Sequence, residues 1–188
     1  MAQIGNTTVL PSMTLGIPLA QASGGTGGNY PVYQMVLGTA QATTSGTSID
    51  FTGIPSWVKR ITVMLNGVSI TAAVNVSIQV GNGSNITTGY TANYMWGSTA
   101  TLSTSSTITT GFTIPVQSAS DNIIGRLVID KISDFNYVAS GNFFMNSANQ
   151  ATVAGSISLG SVLDRIRISI NSSTFDAGSV NIMYEGYL

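Results

Sequence analysis

Apolar and polar residues alternate along most of this chain with a period of two. The stretch Phe51–Gly67 carries the pattern most plainly. After the turn residues Gly53 and Pro55 and the aromatic Trp57, Ile61, Val63 and Leu65 fall on one side, with Arg60, Thr62, Met64 and Asn66 on the other. Successive side chains of a strand point to opposite faces, so this spacing predicts a strand with one buried face, and the Asn66-Gly67 pair predicts a tight hairpin that closes it. Val74, Val76, Ile78 and Val80 alternate in the same way with Asn75, Ser77 and Gln79. Further strands are expected at Val32–Leu37, Thr47–Phe51, Ile86–Tyr94, Thr107–Val116, Ile123–Lys131, Val153–Leu159, Leu163–Ile170 and Ser179–Glu185. Phe135–Met145 reads as an aromatic segment broken at Gly141. The Ser/Thr-rich run over 98–110 favours extended chain over helix. No window carries the spacing of a helix of ordinary length. Short alternating segments separated by turns, with no helix to make parallel crossovers, predict an all-β fold, an antiparallel β-sandwich of jelly-roll type.

The alternation stops before Pro31. Residues 1–30 hold prolines, small polar residues, short apolar clusters and the glycine cluster of Ser23–Gly28. They predict an extended N-terminal arm and Gly-rich connector ahead of a sandwich domain over 31–188. The glycine cluster lacks the Lys-Ser/Thr that follows in a nucleotide loop, so it reads as a hinge. Ala20-Gln21-Ala22 resembles a signal-peptidase site, but the first basic residue is Lys59 and no continuous apolar stretch precedes it, so no targeting signal is expected.

Composition sharpens the picture. Charged residues make up 7% of the chain, against about 25% in an ordinary soluble domain. Apolar residues make up 43%, yet no apolar run approaches the length of a membrane-spanning helix, so no membrane insertion is expected. Burial between copies of the chain is the remaining use for such a surface, and it predicts an obligate homo-oligomer. With 6 basic and 7 acidic residues there is no electrostatic footprint for nucleic acid. Cys and His are both absent, which removes disulfides, thiolate zinc sites, cysteine nucleophiles and the commonest general base. Asp121, Asp130 and Asp134 do not have calcium-loop spacing, and no serine has a base placed beside it. No metal, cofactor or catalytic residue is expected.

Two clusters carry candidate binding chemistry. Thr87–Trp96 concentrates Tyr90, Tyr94 and Trp96 among small polar residues. Aromatic faces flanked by hydroxyl and amide groups suit a sugar, and packing between sheets or subunits is the competing reading. In Leu163–Ile170, Arg165 and Arg167 share the face opposite Ile166, Ile168 and Ile170. A guanidinium pair can grip a carboxylate or phosphate, or else bond within or between subunits to Asp50, Asp176 or backbone carbonyls.

Two regions add what periodicity does not. GTAQATTSGTSIDFTGIPSWVKRITVMLNGVS (Gly38–Ser69) and VLDRIRISINSSTFDAGSVNIMYEGYL (Val162–Leu188) together resemble a domain found at the C-terminal end of bacteriophage tail fibres. Thr87–Tyr94 and Phe135–Phe144 are similar to its weaker middle, and Pro18–Gly28 is similar to the connector that precedes such domains. The resemblance implies a β-rich, trimeric virion component, made in the bacterial host cytoplasm, with no active-site motif. The expected function is that of a non-enzymatic, small tail-fibre-type appendage. Its arm, residues 1–28, would dock on other virion proteins while the domain attaches to a host cell-surface glycan. Only a short arm precedes the domain in this sequence, so a capsid-decoration, head-fibre or collar/connector protein of purely architectural role is the alternative.

Overall fold

The structure, a computed structural model, describes residues 31–98, 100–145 and 149–188. The arm and connector expected over 1–30 lie outside the described residues. Among those residues every regular element is a strand and every pairing between strands is antiparallel.

The strands form two sheets. In chain order they are β1 (Tyr33–Leu37), β2 (Gln41–Ala42), β3 (Ser48–Thr52), β4 (Val58–Ile70), β5 (Val76–Gly81), β6 (Tyr90–Gly97) and β7 (Leu102–Thr104). Then come β8 (Phe112–Ile114), β9 (Ile123–Lys131), β10 (Asn136–Met145), β11 (Asn149–Ser158), β12 (Arg165–Ile170) and β13 (Phe175–Tyr187). The large sheet runs β1-β13-β4-β9-β10-β11-β6-β7, with β2 also on β13; the small sheet runs β3-β12-β5-β8. The pairs β1·β13, β3·β12, β4·β9 and β5·β8 are nested in sequence, as though one long hairpin had been folded over on itself. β6, β7, β10 and β11 fall outside that nest and extend the large sheet beyond β9.

Alternation turns one face of each sheet inward. Ile61, Val63 and Leu65 of β4, Val76, Ile78 and Val80 of β5, Leu127 and Ile129 of β9, and Ile166, Ile168 and Ile170 of β12 are all buried in one continuous core. Complete burial of such a side chain stabilises the fold by roughly 1.5–3 kcal/mol. Phe112 of β8 meets the ring of Tyr90 of β6 edge-on, with centroids 5.2 Å apart, and this contact ties the small sheet's last strand to the large sheet. Trp57 packs half-buried against Tyr184, ring centroids 5.8 Å apart, at the start of β4.

Several sequence expectations meet a different backbone. Asn66-Gly67 makes no hairpin: β4 continues to Ile70, and its register against β9 slips between Leu65 and Val68. Gly67 (φ 66°) sits opposite Gly178 (φ 95°) of β13, and a side chain on Gly178 would collide with the Gly67 carbonyl. The signal is therefore a bulge, where positive φ and close approach of two backbones favour glycine. Gly141 does not break β10, which runs unbroken from Asn136 to Met145 because β9 and β11 hold it on both sides. The strand expected over Ile86–Tyr94 begins at Tyr90 and runs on to Gly97.

Candidate ligand groove

The outward face of the small sheet carries a polar row. Ser48 of β3 stands opposite Ser169 of β12, Ser169 opposite Ser77 of β5, and Ser77 opposite Thr113 of β8, so hydroxyl-bearing residues cross all four strands side by side. Gln79 lies next to this row. Its Nε2 donates to the Thr110 carbonyl at 2.9 Å and its Oε1 accepts from Ser169 Oγ at 3.4 Å. Although polar, Gln79 is buried, because the segment between β7 and β8 crosses above it.

That segment forms a wall. Ala92 and Ile108 exchange backbone hydrogen bonds of 3.1 and 2.8 Å, Tyr90 N–H donates to the Thr109 carbonyl at 3.2 Å, and Ser105 N–H donates to the Tyr94 carbonyl at 3.0 Å. Ser105 Oγ in turn accepts from Tyr94 N–H at 3.0 Å. Gly111 closes the wall onto the sheet: a Cβ there would collide with Ser77 Oγ and come within 3.2 Å of Gln79 Cγ. Between wall and sheet lies a groove of about 440 Å³. Ser77, Gln79, Ser169 and Thr113 line its sheet side, Tyr94, Ser105, Ser106, Ile108 and Thr110 line the wall, and Asn75 and Asn171 complete it.

The aromatic candidates separate here. Tyr90 does not reach a ligand. Its side chain is 1% exposed, its Oη accepts from Val80 N–H at 2.8 Å, and its hydroxyl donates to the Ile86 carbonyl at 3.0 Å. Burial pushes its pKa up to about 12, so it is neutral over the whole working range of a protein. Trp96 packs partly buried against the core, and its Nε1 is buried with no hydrogen-bond partner among the described residues. Tyr94, four residues after Tyr90 and two before Trp96 on the same strand face, is the one that lines the groove.

The arginine candidates are engaged within the chain. Arg167 grips Asp50 in a two-bond fork, Nε to Oδ1 at 2.7 Å and Nη2 to Oδ2 at 2.6 Å. The Arg167 guanidinium holds the Asp50 carboxyl below the usual carboxylate range. Arg165 pairs with Asp164 at 2.8 Å, and Asp164 also accepts from Gly83 N–H at 2.9 Å. Of the acids weighed as calcium ligands, Asp121 caps its own turn by accepting from the N–H groups of Gln117 and Ser118, and Asp130 pairs with Arg60 at 2.5 Å. Among the described residues no group of three or more His, Cys, Asp or Glu is placed to hold a metal ion.

A second depression, about 460 Å³, lies on the outward face of the large sheet by Arg126, Ser140, Asn142 and Thr152. It carries a cation and no aromatic ring. The groove beside Tyr94 pairs an aromatic side chain with many uncharged polar groups. Sequence reasoning reached Tyr94 through the aromatic cluster. It missed Ser77, Gln79 and Ser169, whose alternation with apolar residues read only as an outward face. The chain matches no protein-family model, no curated protein and no solved structure.

Proposed function

We propose that this chain is a non-enzymatic bacteriophage virion protein, a small tail-fibre-type appendage that attaches the particle to a host cell-surface glycan. The groove beside Tyr94 carries this reading: an aromatic wall above hydroxyl and amide groups is what recognition of a carbohydrate needs. The motifs at Gly38–Ser69 and Val162–Leu188 supply the viral context. The nested pairs β1·β13, β3·β12, β4·β9 and β5·β8 support an eight-stranded jelly-roll sandwich, with β6–β7 and β10–β11 as insertions into it. Jelly rolls are common in capsid and lectin domains.

The domain works as a homotrimer on the virion surface, with residues 1–28 docked on other virion proteins. Exposed Tyr33, Met35 and Leu37 on β1 and Tyr187 on β13 support self-association, because an apolar surface of this kind is stabilised by being covered. Weak glycan contacts are then multiplied by three subunits and by many copies per particle. Adsorption tests the reading. Purified protein is expected to bind host cells and to compete with intact particles for them; failure on both counts removes the attachment role.

A capsid-decoration, head-fibre or collar/connector role is favoured by a different observation. β1 is an edge strand that exposes Tyr33, Met35 and Leu37, which supports its taking a strand from a neighbouring virion protein. Electron microscopy of the particle separates the two: a few copies at the tail support attachment, hundreds over the head support decoration.

A further inference from the structure

We infer that the groove beside Tyr94 binds an uncharged saccharide directly, with no bridging cation; this rests on the attachment reading above and names its ligand. Charge decides the class. Among the described residues no Asp, Glu, Lys or Arg lines the groove. Arg167 stands next to Gln79 across the β12–β5 pairing, but its fork is closed on Asp50. A sialic acid or a phosphorylated sugar would therefore bring a charge into a site with no opposite charge to receive it, and burying an unpaired charge is costly. Nor does the lining supply a carboxylate to anchor a bridging calcium ion.

The polar groups present match hydroxyls. Asn75 Oδ1 accepts from Val116 N–H at 3.2 Å, which fixes the amide and leaves its NH₂ group as a donor. Gln79 is oriented by its bonds to Thr110 and Ser169. Ser77 lines the sheet side, with its hydroxyl oxygen buried beneath Gly111 and without a hydrogen-bond partner among the described residues. Tyr94 supplies a ring for the apolar C–H face of a pyranose. The backbone bonds between the wall and β6 hold these groups in place before a ligand arrives, which reduces the ordering cost of binding. The volume of about 440 Å³ suits a mono- to disaccharide unit.

The test is titration of the purified full chain with a panel of neutral mono- to tetrasaccharides, sialylated and phosphorylated saccharides, followed by saturation-transfer NMR and repeated in EDTA. Binding is expected for neutral members only and is unchanged by EDTA. Tyr94→Ala is expected to weaken it at least tenfold. Ser106→Trp, which fills the groove from an exposed wall position, is expected to abolish it with an unchanged melting temperature. Preference for charged saccharides, loss in EDTA, or no response to Ser106→Trp overturns the inference. Adsorption to host cells by a protein that binds no neutral saccharide on the panel overturns it too, while the attachment reading stands. Absence of adsorption by the wild-type chain brings down the attachment reading itself.

Discussion

On the outward face of the small sheet the long polar side chains hold one another: Arg167 with Asp50, Arg165 with Asp164, and Gln79 with Thr110 and Ser169. The outward face of the large sheet is built on the same alternation but carries Tyr33, Met35 and Leu37 along β1, and Ile124 opposite Phe144 on β9 and β10, all exposed. Its ion pairs gather around Arg60, which reaches Asp130 at 2.5 Å and Glu185 at 3.2 Å. The Glu185 carboxylate beside Tyr33 raises the pKa of that hydroxyl. Polar groups that already satisfy one another gain little from a protein partner, whereas exposed apolar area gains roughly 25 cal/mol for each Å² covered. This contrast supports the proposed roles, a small hydroxylated ligand on one face and sister copies on the other.

Both faces depend on the core between them, so the largest effect is expected there. Phe112→Ala removes a fully buried ring and is expected to cost about 3–5 kcal/mol in urea unfolding. Because β8 joins the small sheet to β6 through that ring, probes on the two sheets are expected to unfold together; separate transitions would show the faces to be independent.

The faces are then set against each other. Met35→Lys combined with Leu37→Lys is expected to raise the dissociation constant for self-association by about 100-fold, read as a fall to single-chain mass in light scattering with unchanged circular dichroism. Ser106→Lys on the other face leaves the mass unchanged. Equal responses from both faces would cancel the contrast.

Tyr90→Phe probes the seam. It removes the partner of Val80 N–H and is expected to cost about 1–3 kcal/mol. A pH scan gives a second reading. The folded pKa of Tyr90 lies above the unfolded value, so its contribution is complete below about pH 10 and is lost as pH rises towards 12. That alkaline loss should be missing from the variant.

The smallest effect is expected at Arg167→Ala. The pair is about a third exposed on both sides, 34% and 36%, so solvent screening limits it to about 1 kcal/mol or less. Asp50 has a lowered pKa, so the stabilisation is present above the ordinary carboxylate range and is lost as pH falls below about 4. The wild type should therefore lose more stability than the variant between neutral pH and pH 2.

Legibility followed the range of the interactions. The faces of β4, β5 and β12 could be read from Ile61-Val63-Leu65, Val76-Ile78-Val80 and Ile166-Ile168-Ile170, because each lies within one strand. Pairing of Arg167 with Asp50 was one of two readings, and only the register of β12 on β3 places them opposite each other. Tyr90, Tyr94 and Trp96 share one face, so nothing local tells the core tyrosine from the groove tyrosine. The separation comes from where the segment between β7 and β8 crosses. Asn66-Gly67 carried a true glycine signal whose meaning, bulge instead of turn, depended on β13 and β9 alongside.

The amino-acid sequence by itself determined that the chain would form antiparallel strands with one apolar face each, since side-chain direction is set by local backbone geometry. Only the tertiary structure decided which hydroxyls stand in a row across β3, β12, β5 and β8 and which aromatic ring overlooks them. Those neighbours are as far apart in the chain as Ser48 and Ser169, and sheet order, a property of the whole core, brings them together.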